Sequence, residues 1–323
     1  MNKVATGRSR IIAALPAACH EEATAVQFLE KQRWPTNPAC PRCQSGAVYQ
    51  MRDAKSGERN KRFLWLCKGC GKQFTVRTGT VFEDSKIPLR HWCYAFWAAC
   101  ASKKGVSALQ IKRMTGLSYK SALFLMHRIR YAMADTIYEP TPLKGTVEAD
   151  ETFIGGKPRF ISHSKGHKIS KKKIVLAMVE RDGRVRPRHM RRLGGQSIRR
   201  EILRQVDPTA RLITDDAIRF RKMNKAFTGG HETVRHSMKE YVRGDVHTNT
   251  VEGFFALLKR GIIGTYHSVS SKHLHRYLSE FAFRYNARKI DDGARTALAI
   301  KSAEGKRLLY RDPLGYAQHP TQV

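Results

Sequence analysis

Apolar residues recur at helical intervals through the first part of the chain, except between residues 36 and 82. The helical stretches are EEATAVQFLEKQRW, HWCYAFWAACASKKG, SALQIKRMTG and SYKSALFLMHRIRYAMADTI. Residues 36–82 are instead rich in Pro, Cys and aromatic side chains, with short alternating runs such as KRFLWL. This pattern predicts small β-hairpins that need a source of stability other than a hydrophobic core.

Strands and helices alternate beyond Pro140 and Pro142, which mark a boundary. GTVEADETFIGG and ARLITDD are strand-like, and KKKIVLAMVERDGRVRPRHMRRL predicts a hairpin that turns at Asp182 and Gly183. GGQSIRREILRQVD, HTNTVEGFFALLKRGI and KHLHRYLSEFAFRYNARK have helical periodicity. The alternation predicts a mixed α/β layer domain.

The charge of the chain indicates its class of partner. Sixty Lys and Arg residues against 27 Asp and Glu residues leave a net charge of +33, which attracts polyanions at a distance. We therefore expect nucleic-acid binding, although a ribosomal or merely solubilised basic protein would have the same balance. The basic segment 162–173 fits a phosphate-contacting arm and a solvated loop equally well.

Neither a membrane span nor secretion is expected from the apolar segments. The longest mostly apolar stretches fall far short of the ~20 residues that a membrane helix needs. Near the start, the short run IIAALPAA loosely resembles a signal peptide but is interrupted by Pro16. We therefore expect a cytoplasmic protein.

Four of the seven cysteines form two CxxC pairs. Cys40 and Cys43 make the first pair, and Cys67 and Cys70 make the second after 23 intervening residues. Two such pairs supply the four thiolates of a closed, tetrahedral zinc site, and in a reducing compartment they indicate metal rather than disulfides. The spacing predicts a structural Zn²⁺ that stabilises a domain too small for a large core. Two reduced motifs without metal, or a redox role, would be the alternatives.

Residues 106–132 have the pattern of a helix-turn-helix. Gly116 would end the first helix, and Ser118 is placed to cap the second. The side chains expected to be buried are Leu109, Ile111, Met114, Ala122, Leu123, Leu125, Met126 and Ile129. Ser118, Tyr119 and Lys120 would lie at the front of a recognition helix and contact DNA. A plain helical hairpin would give the same pattern.

Three acidic residues stand where separate elements of the α/β region could bring them together. Asp150 lies in the first strand, Asp215 ends the strand RLITDD, and Glu252 is near the start of the helix TNTVEGFFALLKRG. Neighbouring carboxylates repel one another unless a cation lies between them, and Mg²⁺ prefers oxygen ligands of this kind. Spacing alone does not distinguish this arrangement from three unrelated surface acids.

The runs VEADETFIGGK, TDD at 214–216 and HTNTVEGFFALLKRGIIGTYHSVSSKHLHRYLSEFAFRYNAR decide between these interpretations. They closely resemble the bacterial insertion-sequence transposases that have a ribonuclease H-like DDE domain and an N-terminal zinc ribbon. The resemblance covers roughly residues 20–290. It implies that Asp150, Asp215 and Glu252 are a catalytic triad that holds Mg²⁺, with Mn²⁺ as a possible substitute.

The resemblance also implies roles for residues around the triad. Lys259, seven residues after Glu252, would help to position DNA. Glu280, Arg284 and Arg288 match a Glu/Arg signature on the final helix, and the two arginines are expected to contact DNA. Asp216 remains an alternative to Asp215. Asn249 could be a metal ligand, an outer-sphere neighbour or simply the helix N-cap.

The chain is therefore expected to be a multidomain α/β protein. Its predicted parts are a helical lead-in (1–35), a zinc ribbon (36–82), a helical helix-turn-helix-like DNA-binding region (83–140), a ribonuclease H-like mixed-sheet catalytic domain (141–290) and a C-terminal tail (291–323).

The activity implied by the resemblance is metal-dependent cleavage of double-stranded DNA at the terminal inverted repeats of an insertion sequence, followed by strand transfer into target DNA. The expected assembly is a homodimer or larger synaptic complex at the bacterial nucleoid. A non-catalytic, domesticated DNA-binding regulator is the alternative from another class, and a structure-selective nuclease is a third.

Overall fold

The computed structural model describes residues 7–134, 141–155, 172–221 and 223–308. The basic segment 162–173 lies almost wholly outside the described residues. The α-helices are α1 Gly7–His20, α2 Glu22–Arg33, α3 Leu89–Ala101, α4 Ala108–Thr115, α5 Tyr119–Ala132, α6 Gly195–Gln205, α7 Asn249–Gly261, α8 Leu274–Asn286 and α9 Asp292–Lys301.

The strands are β1 Val48–Gln50, β2 Trp65–Cys67, β3 Gln73–Phe74, β4 Thr146–Ile154, β5 Lys173–Glu180, β6 Val185–Met190, β7 Arg211–Asp215, β8 His231–Val234, β9 Val242–Arg243 and β10 Val246–His247. The chain divides into two compact units, of which the first comprises Met1–Ala134 with Lys289–Val323 and the second comprises Asp135–Arg288.

In the first unit, a small antiparallel sheet in the order β1-β2-β3 forms the ribbon. Its core is aromatic: the rings of Trp34, Trp65 and Phe74 lie with centroids 6.0–6.3 Å apart. Glu30 of α2 accepts hydrogen bonds from Trp65 Nε1 at 2.7 Å and from Arg59 Nη1 at 2.9 Å. Because Glu30 is buried, these charge-assisted bonds hold the ribbon against α2.

The two helices predicted for residues 106–132 are present as α4 and α5, joined by a short turn. The Ser107 hydroxyl accepts from Gln110 N and caps α4, and Gly116 ends it in the left-handed conformation at φ 71°. The Ser118 hydroxyl accepts from Ser121 N and caps α5, as expected. The predicted burial of Leu109 and Met114 is wrong, since they are 53% and 62% exposed.

Ala108 and Ile111 form the buried stripe of α4 instead of Leu109 and Met114. The helix has only eight residues, so one narrow stripe at i and i+3 suffices to pack it against α5. The sequence pattern alone therefore did not identify which apolar residues of α4 face the core.

The C-terminal segment contributes a helix to the first unit. Residues 291–323 were expected to form a tail, and within them α9 packs against α1 and α3 with Thr296, Ala299 and Ile300 buried. Asp291 caps this helix by accepting from Gly293 N and Ala294 N. Helix α9 thus belongs to the packed core of this unit.

The second unit is built on a five-stranded mixed sheet in the order β6-β5-β4-β7-β8. Strands β4, β5 and β6 are antiparallel neighbours, whereas β4, β7 and β8 run parallel. The hairpin between β5 and β6 turns at Asp182 and Gly183 as predicted, with Asp182 at φ 57°.

Helices cover both faces of this sheet. Val147 and Ala149 of β4 pack with Ile198 and Ile202 of α6 on one face. Ile154 of β4 and Ala177 of β5 lie on the other face, in a cluster that includes α7 and α8. This two-sided packing explains why β5 is apolar on both faces. Strand β4 is apolar on the α6 face but carries Glu148 and Asp150 on the α7 face.

The predicted fold class is confirmed, with a ribbon, a helix-turn-helix-like region and a mixed-sheet α/β unit. Strands β8, β9 and β10 were not predicted; the latter two have only two residues each. Within the described residues, no helix combines the length and the apolar character that a membrane span requires.

Candidate functional site

The four cysteines of the two CxxC pairs meet at one point of the ribbon. Their Sγ atoms all lie within 4.8 Å of one another. The Cys40–Cys70 separation is 3.8 Å and the Cys43–Cys67 separation is 3.5 Å. A Zn–S bond of about 2.3 Å in a tetrahedron places sulfurs about 3.8 Å apart, so the cluster has the dimensions of a closed structural Zn²⁺ site.

The pKa values of two of these thiols show why a cation would stabilise the cluster. Burial opposes ionisation of Cys40, but the backbone N–H groups of Cys43 and Arg42 lower its pKa to about 7. The Ser45 N–H acts in the same direction on Cys43, but hydrogen bonding with Cys67 and burial outweigh it and raise the pKa of Cys43 to about 12. Close thiols cannot all ionise together unless a metal compensates the charge.

In the second unit, the register of parallel strands β4 and β7 aligns two of the predicted acids. Glu148 of β4 pairs with Ile213 of β7, so continuing that register by two residues brings Asp150 level with Asp215. Since side chains alternate along a strand, Asp150 shares a face with Ile154, which packs on the side of α7. Asp150 and Asp215 therefore lie on the face that carries Glu252.

The local electric field acts strongly on Asp150. Burial raises its pKa, and the negative charges of Glu151, Asp215 and Glu252 raise it further, to about 7. Its Oδ1 accepts a hydrogen bond from Glu151 N at 2.7 Å. Within the described part of the chain, no Lys or Arg forms an ion pair with Asp150, so its charge is uncompensated by protein.

The third acid projects from the first turn of α7. Glu252 is exposed, and its Oε1 accepts a 3.0 Å hydrogen bond from Thr248 Oγ1. Val251, Phe254 and Leu258 are buried against the sheet. Lys259 is exposed two turns beyond Glu252 and lies on the same side of the helix.

Asn249 does not cap α7. The N-cap is Thr248, and Asn249 is the exposed first residue of the helix. The interpretation of Asn249 as the N-cap is therefore wrong, because the helix starts one residue earlier than that interpretation requires. Its exposed side chain lies one turn from Glu252 in the same helix.

The three acids are less closely gathered than the cysteines. Among the described residues, only the cysteine cluster brings at least three ligand atoms within 4.8 Å of one another. Asp215 and Glu252 therefore act electrostatically on Asp150, although the oxygens of the three acids do not form such a cluster.

Two other predicted residues have different surroundings from those expected. Asp216 accepts a 2.6 Å hydrogen bond from Ser237 Oγ. Arg284 is 5% exposed and forms an ion pair with buried Glu280. Arg284 therefore has a structural role and does not fit the expected DNA contact, because its guanidinium has almost no exposed surface that a phosphate could reach.

Arg288, the other arginine of the predicted Glu/Arg signature, lies two residues beyond the end of α8 and is exposed. It donates to the carbonyl oxygens of Gly183 and Tyr285, both at 2.9 Å. In the first unit, Ser118, Tyr119 and Lys120 stand at the exposed start of α5, with Tyr119 47% exposed. All four of these side chains are exposed to solvent.

Sequence reasoning missed Glu148, the first acid of VEADE. It has no exposed surface, and its carboxylate receives hydrogen bonds from Arg181, Thr250 and Val251. An acid in an apolar strand two residues before Asp150 was the available signal. Its partners at 181 and 250 are distant in sequence, so they could not be named.

Two families match the two parts of the chain in which these sites lie. Residues 142–286 match the ISXO2-like transposase domain, and residues 20–73 match the transposase zinc-ribbon domain. The chain belongs to the zinc-ribbon insertion-sequence transposases. Transposases are enzymes that bind and cleave DNA, so the chain belongs to that class of enzyme. The four cysteines of its ribbon form a structural zinc site.

The chain is also similar to a protein of Halobacterium salinarum described as an uncharacterized protein in transposable element ISH50. The two are 27% identical over 277 residues, which is 81% of this transposase and 90% of the relative. No solved structure gives a significant match.

Proposed function

We propose that the chain cuts DNA at the ends of an insertion sequence and joins the freed ends to target DNA, with Asp150, Asp215 and Glu252 as the metal-binding catalytic acids. The observation that carries the proposal is geometric: Asp150 and Asp215 lie level on neighbouring strands, on the sheet face packed by α7, which carries Glu252, within the part that matches a transposase domain. DNA supplies the polyanion that a chain of net charge +33 attracts.

The donor chemistry of the three acids fits Mg²⁺ or Mn²⁺. Carboxylate oxygens are hard ligands, and Mg²⁺ takes few protein groups and completes its shell with water and phosphate. Burial, and after it the nearby negative charges, raise the pKa of Asp150, and a divalent cation would stabilise the charged carboxylate against both effects. Ion binding requires the three side chains to turn toward one another, which the exposure of Glu252 permits.

The roles of the residues follow from their positions. Asp150 and Asp215, on neighbouring strands, form the rigid part of the site, and Glu252 completes it from α7. Bound there, divalent ions would activate the attacking water or 3′-hydroxyl and stabilise the leaving oxygen. Lys259 and Arg288, both exposed, are placed to contact phosphates, and Asn249 is an auxiliary group beside Glu252.

DNA recognition is assigned to the first unit. Ser118, Tyr119 and Lys120 at the start of α5 would read the terminal repeats, because the N-terminal residues of a recognition helix reach base edges. Two ends must be held together for joining, so a dimer or larger complex on DNA is part of the proposal. Such work would take place at the nucleoid in the cytoplasm.

The test compares wild-type protein with Asp150→Asn and with Asp182→Asn. Both variants replace a carboxylate by an amide in the second unit, but Asp182 lies in the exposed β5–β6 turn. Each protein is incubated with Mg²⁺ and duplexes of the ends that flank the gene, and nicked and joined products are scored. We expect Asp150→Asn alone to lose both products while it binds the ends normally.

Retention of cleavage by Asp150→Asn would remove that acid from the mechanism. End binding by the wild type without any cleavage would instead favour the DNA-binding regulator. A third outcome, cleavage without joining of pre-cleaved ends, would indicate a nuclease.

A further inference from the structure

A buried carboxylate outside the proposed triad links strand β4 to the start of helix α7. Glu148 has 0% exposure and lies two residues before Asp150, on the same face of β4. Its Oε2 accepts from Thr250 N at 2.8 Å and from Val251 N at 3.1 Å. Its Oε1 accepts from Thr250 Oγ1 at 2.9 Å. Glu148 thereby satisfies two backbone donors that the helix itself cannot.

The other side of the same carboxylate is held by two basic side chains. Arg181, in the β5–β6 turn, donates from Nε to Glu148 Oε1 at 2.8 Å. Arg181 Nη2 also donates to the His247 carbonyl oxygen at 3.1 Å, and His247 Nδ1 lies 3.3 Å from Glu148 Oε1. Glu148 is thus fixed by contacts from β10, the hairpin turn and α7.

We propose that Glu148 is a positioning residue that sets the start of α7, and therefore Glu252, relative to Asp150. This inference rests on the function proposed above. Glu252 follows Val251 directly, so a shift of the Glu148 contacts moves a proposed ligand on α7 relative to a ligand on β4. A misplacement of about 1 Å at a reacting centre can cost about 10²-fold in rate.

The chemistry of the contacts requires a carboxylate rather than an amide. All the hydrogen-bonding groups that face Glu148 from Arg181, Thr250 and Val251 are donors. A Gln at this position would direct its NH₂ group at one set of donors, and an Asp would be too short to reach both α7 and Arg181. A negative charge also interacts favourably with the positive end of the α7 dipole.

The experiment uses the full-length, zinc-loaded protein with Glu148→Gln and Glu148→Asp. Glu201→Gln is the matched control, because Glu201 also pairs with an arginine, Arg188, but lies on α6 at the opposite face of the sheet. End binding, single-turnover cleavage at saturating DNA and Mn²⁺ affinity by calorimetry are measured. Hydrogen exchange of residues 249–252 reports whether the start of α7 has loosened.

We expect both Glu148 variants to bind DNA ends within about twofold of wild type, and Glu201→Gln to match wild type in every assay. Single-turnover cleavage should fall about 10²-fold, and Mn²⁺ should bind about tenfold more weakly, as when groups behind metal ligands are lost. Faster exchange at 249–252 should accompany both losses.

If the Glu148 variants cleave DNA and bind Mn²⁺ as well as the wild type does, the inference is overturned. Faster exchange at 249–252 in that case would show that Glu148 has only a structural role. If both variants fail to fold, Thr250→Val, which removes only the hydroxyl contact, should still lower cleavage about tenfold; an unchanged rate would equally overturn it. Asp150→Asn separates the two levels, since its retained cleavage would reject the proposed catalytic triad, whatever the Glu148 variants do.

Discussion

Three acids lie close together on strand β4, and the surroundings of each carboxylate differ. Glu148 is buried but receives hydrogen bonds from Arg181, Thr250 and Val251. Glu151 is paired with Arg219. Asp150, between them, has burial and negative neighbours that raise its pKa to about 7. These surroundings disfavour the charged form of Asp150, and a shift of this kind is common at functional sites.

The raised pKa of Asp150 makes stability depend on pH. The folded-state pKa of about 7 exceeds the ordinary value of 3.8, so the folded state holds this proton more tightly than the unfolded state does. Stability is consequently lost as pH rises from about 4 to about 7. Asp150→Asn should therefore stabilise the magnesium-free, zinc-replete protein at pH 8, on the order of 3 kcal/mol, and by only about 1 kcal/mol at pH 5.

Urea unfolding followed by circular dichroism at the two pH values measures this difference, and Asp182→Asn serves as the exposed control. An equal gain in the free energy of unfolding at pH 5 and pH 8, or a loss at pH 8, would show that the charge of Asp150 is not the cause of the pH dependence. Saturating Mg²⁺ should reduce the advantage of Asp150→Asn, because a charged carboxylate binds the ion more strongly than a neutral amide does.

The ends of helices α4 and α5 are determined by residues that are close to them in the sequence. Ser107 and Ser118 cap α4 and α5 with their own hydroxyls, and Gly116 supplies the left-handed residue between them. Helix α7 differs, because its Thr248 cap makes no capping hydrogen bond and Glu148 of another element takes that role. A cap within the sequence could be predicted, whereas a cap supplied across the fold could not.

The two serine caps allow stability and DNA contact to be separated. Ser118→Ala and Ser107→Ala should each cost about 1 kcal/mol, since each removes one capping hydroxyl. Only Ser118→Ala should also weaken binding of the terminal DNA, by about tenfold, because Ser118 lies at the front of the proposed recognition helix. Urea unfolding by tryptophan fluorescence and DNA titration at constant salt measure the two effects. Equal DNA affinity of the two variants would remove Ser118 from the interface.

At the scale of the whole molecule, the chain leaves its first unit after residue 134 and returns to it from residue 289. The returning segment forms α9, which packs on α1 and α3. The match to the transposase domain ends at residue 286, shortly before this return. The second unit is thus inserted in sequence between two parts of the first.

Substitutions in α9 test whether this segment is part of the core. Ala299 is fully buried, whereas the adjacent Leu298 is 44% exposed. Ala299→Asp should destabilise the first unit by about 3 kcal/mol or more, because it buries a polar group without a partner. Leu298→Asp should change stability by less than about 1 kcal/mol. The four tryptophans all lie in the first unit, so their fluorescence during urea unfolding reports the difference. Similar effects of both variants would indicate that α9 does not contribute to this core.

Spacing along the sequence determined the zinc ligands, the main helices and strands, and the helix caps made by nearby residues. These features depend on contacts within a few residues or on a ligand pattern that only one metal geometry satisfies. The three acids could be named, although periodicity did not show that Asp150 and Asp215 would lie level on parallel strands. Only the tertiary structure decided that Arg284 is buried, that Glu148 holds α7, and that α9 returns to the first unit. Each of these depends on contacts between residues that are distant in sequence or on burial, which local patterns do not encode.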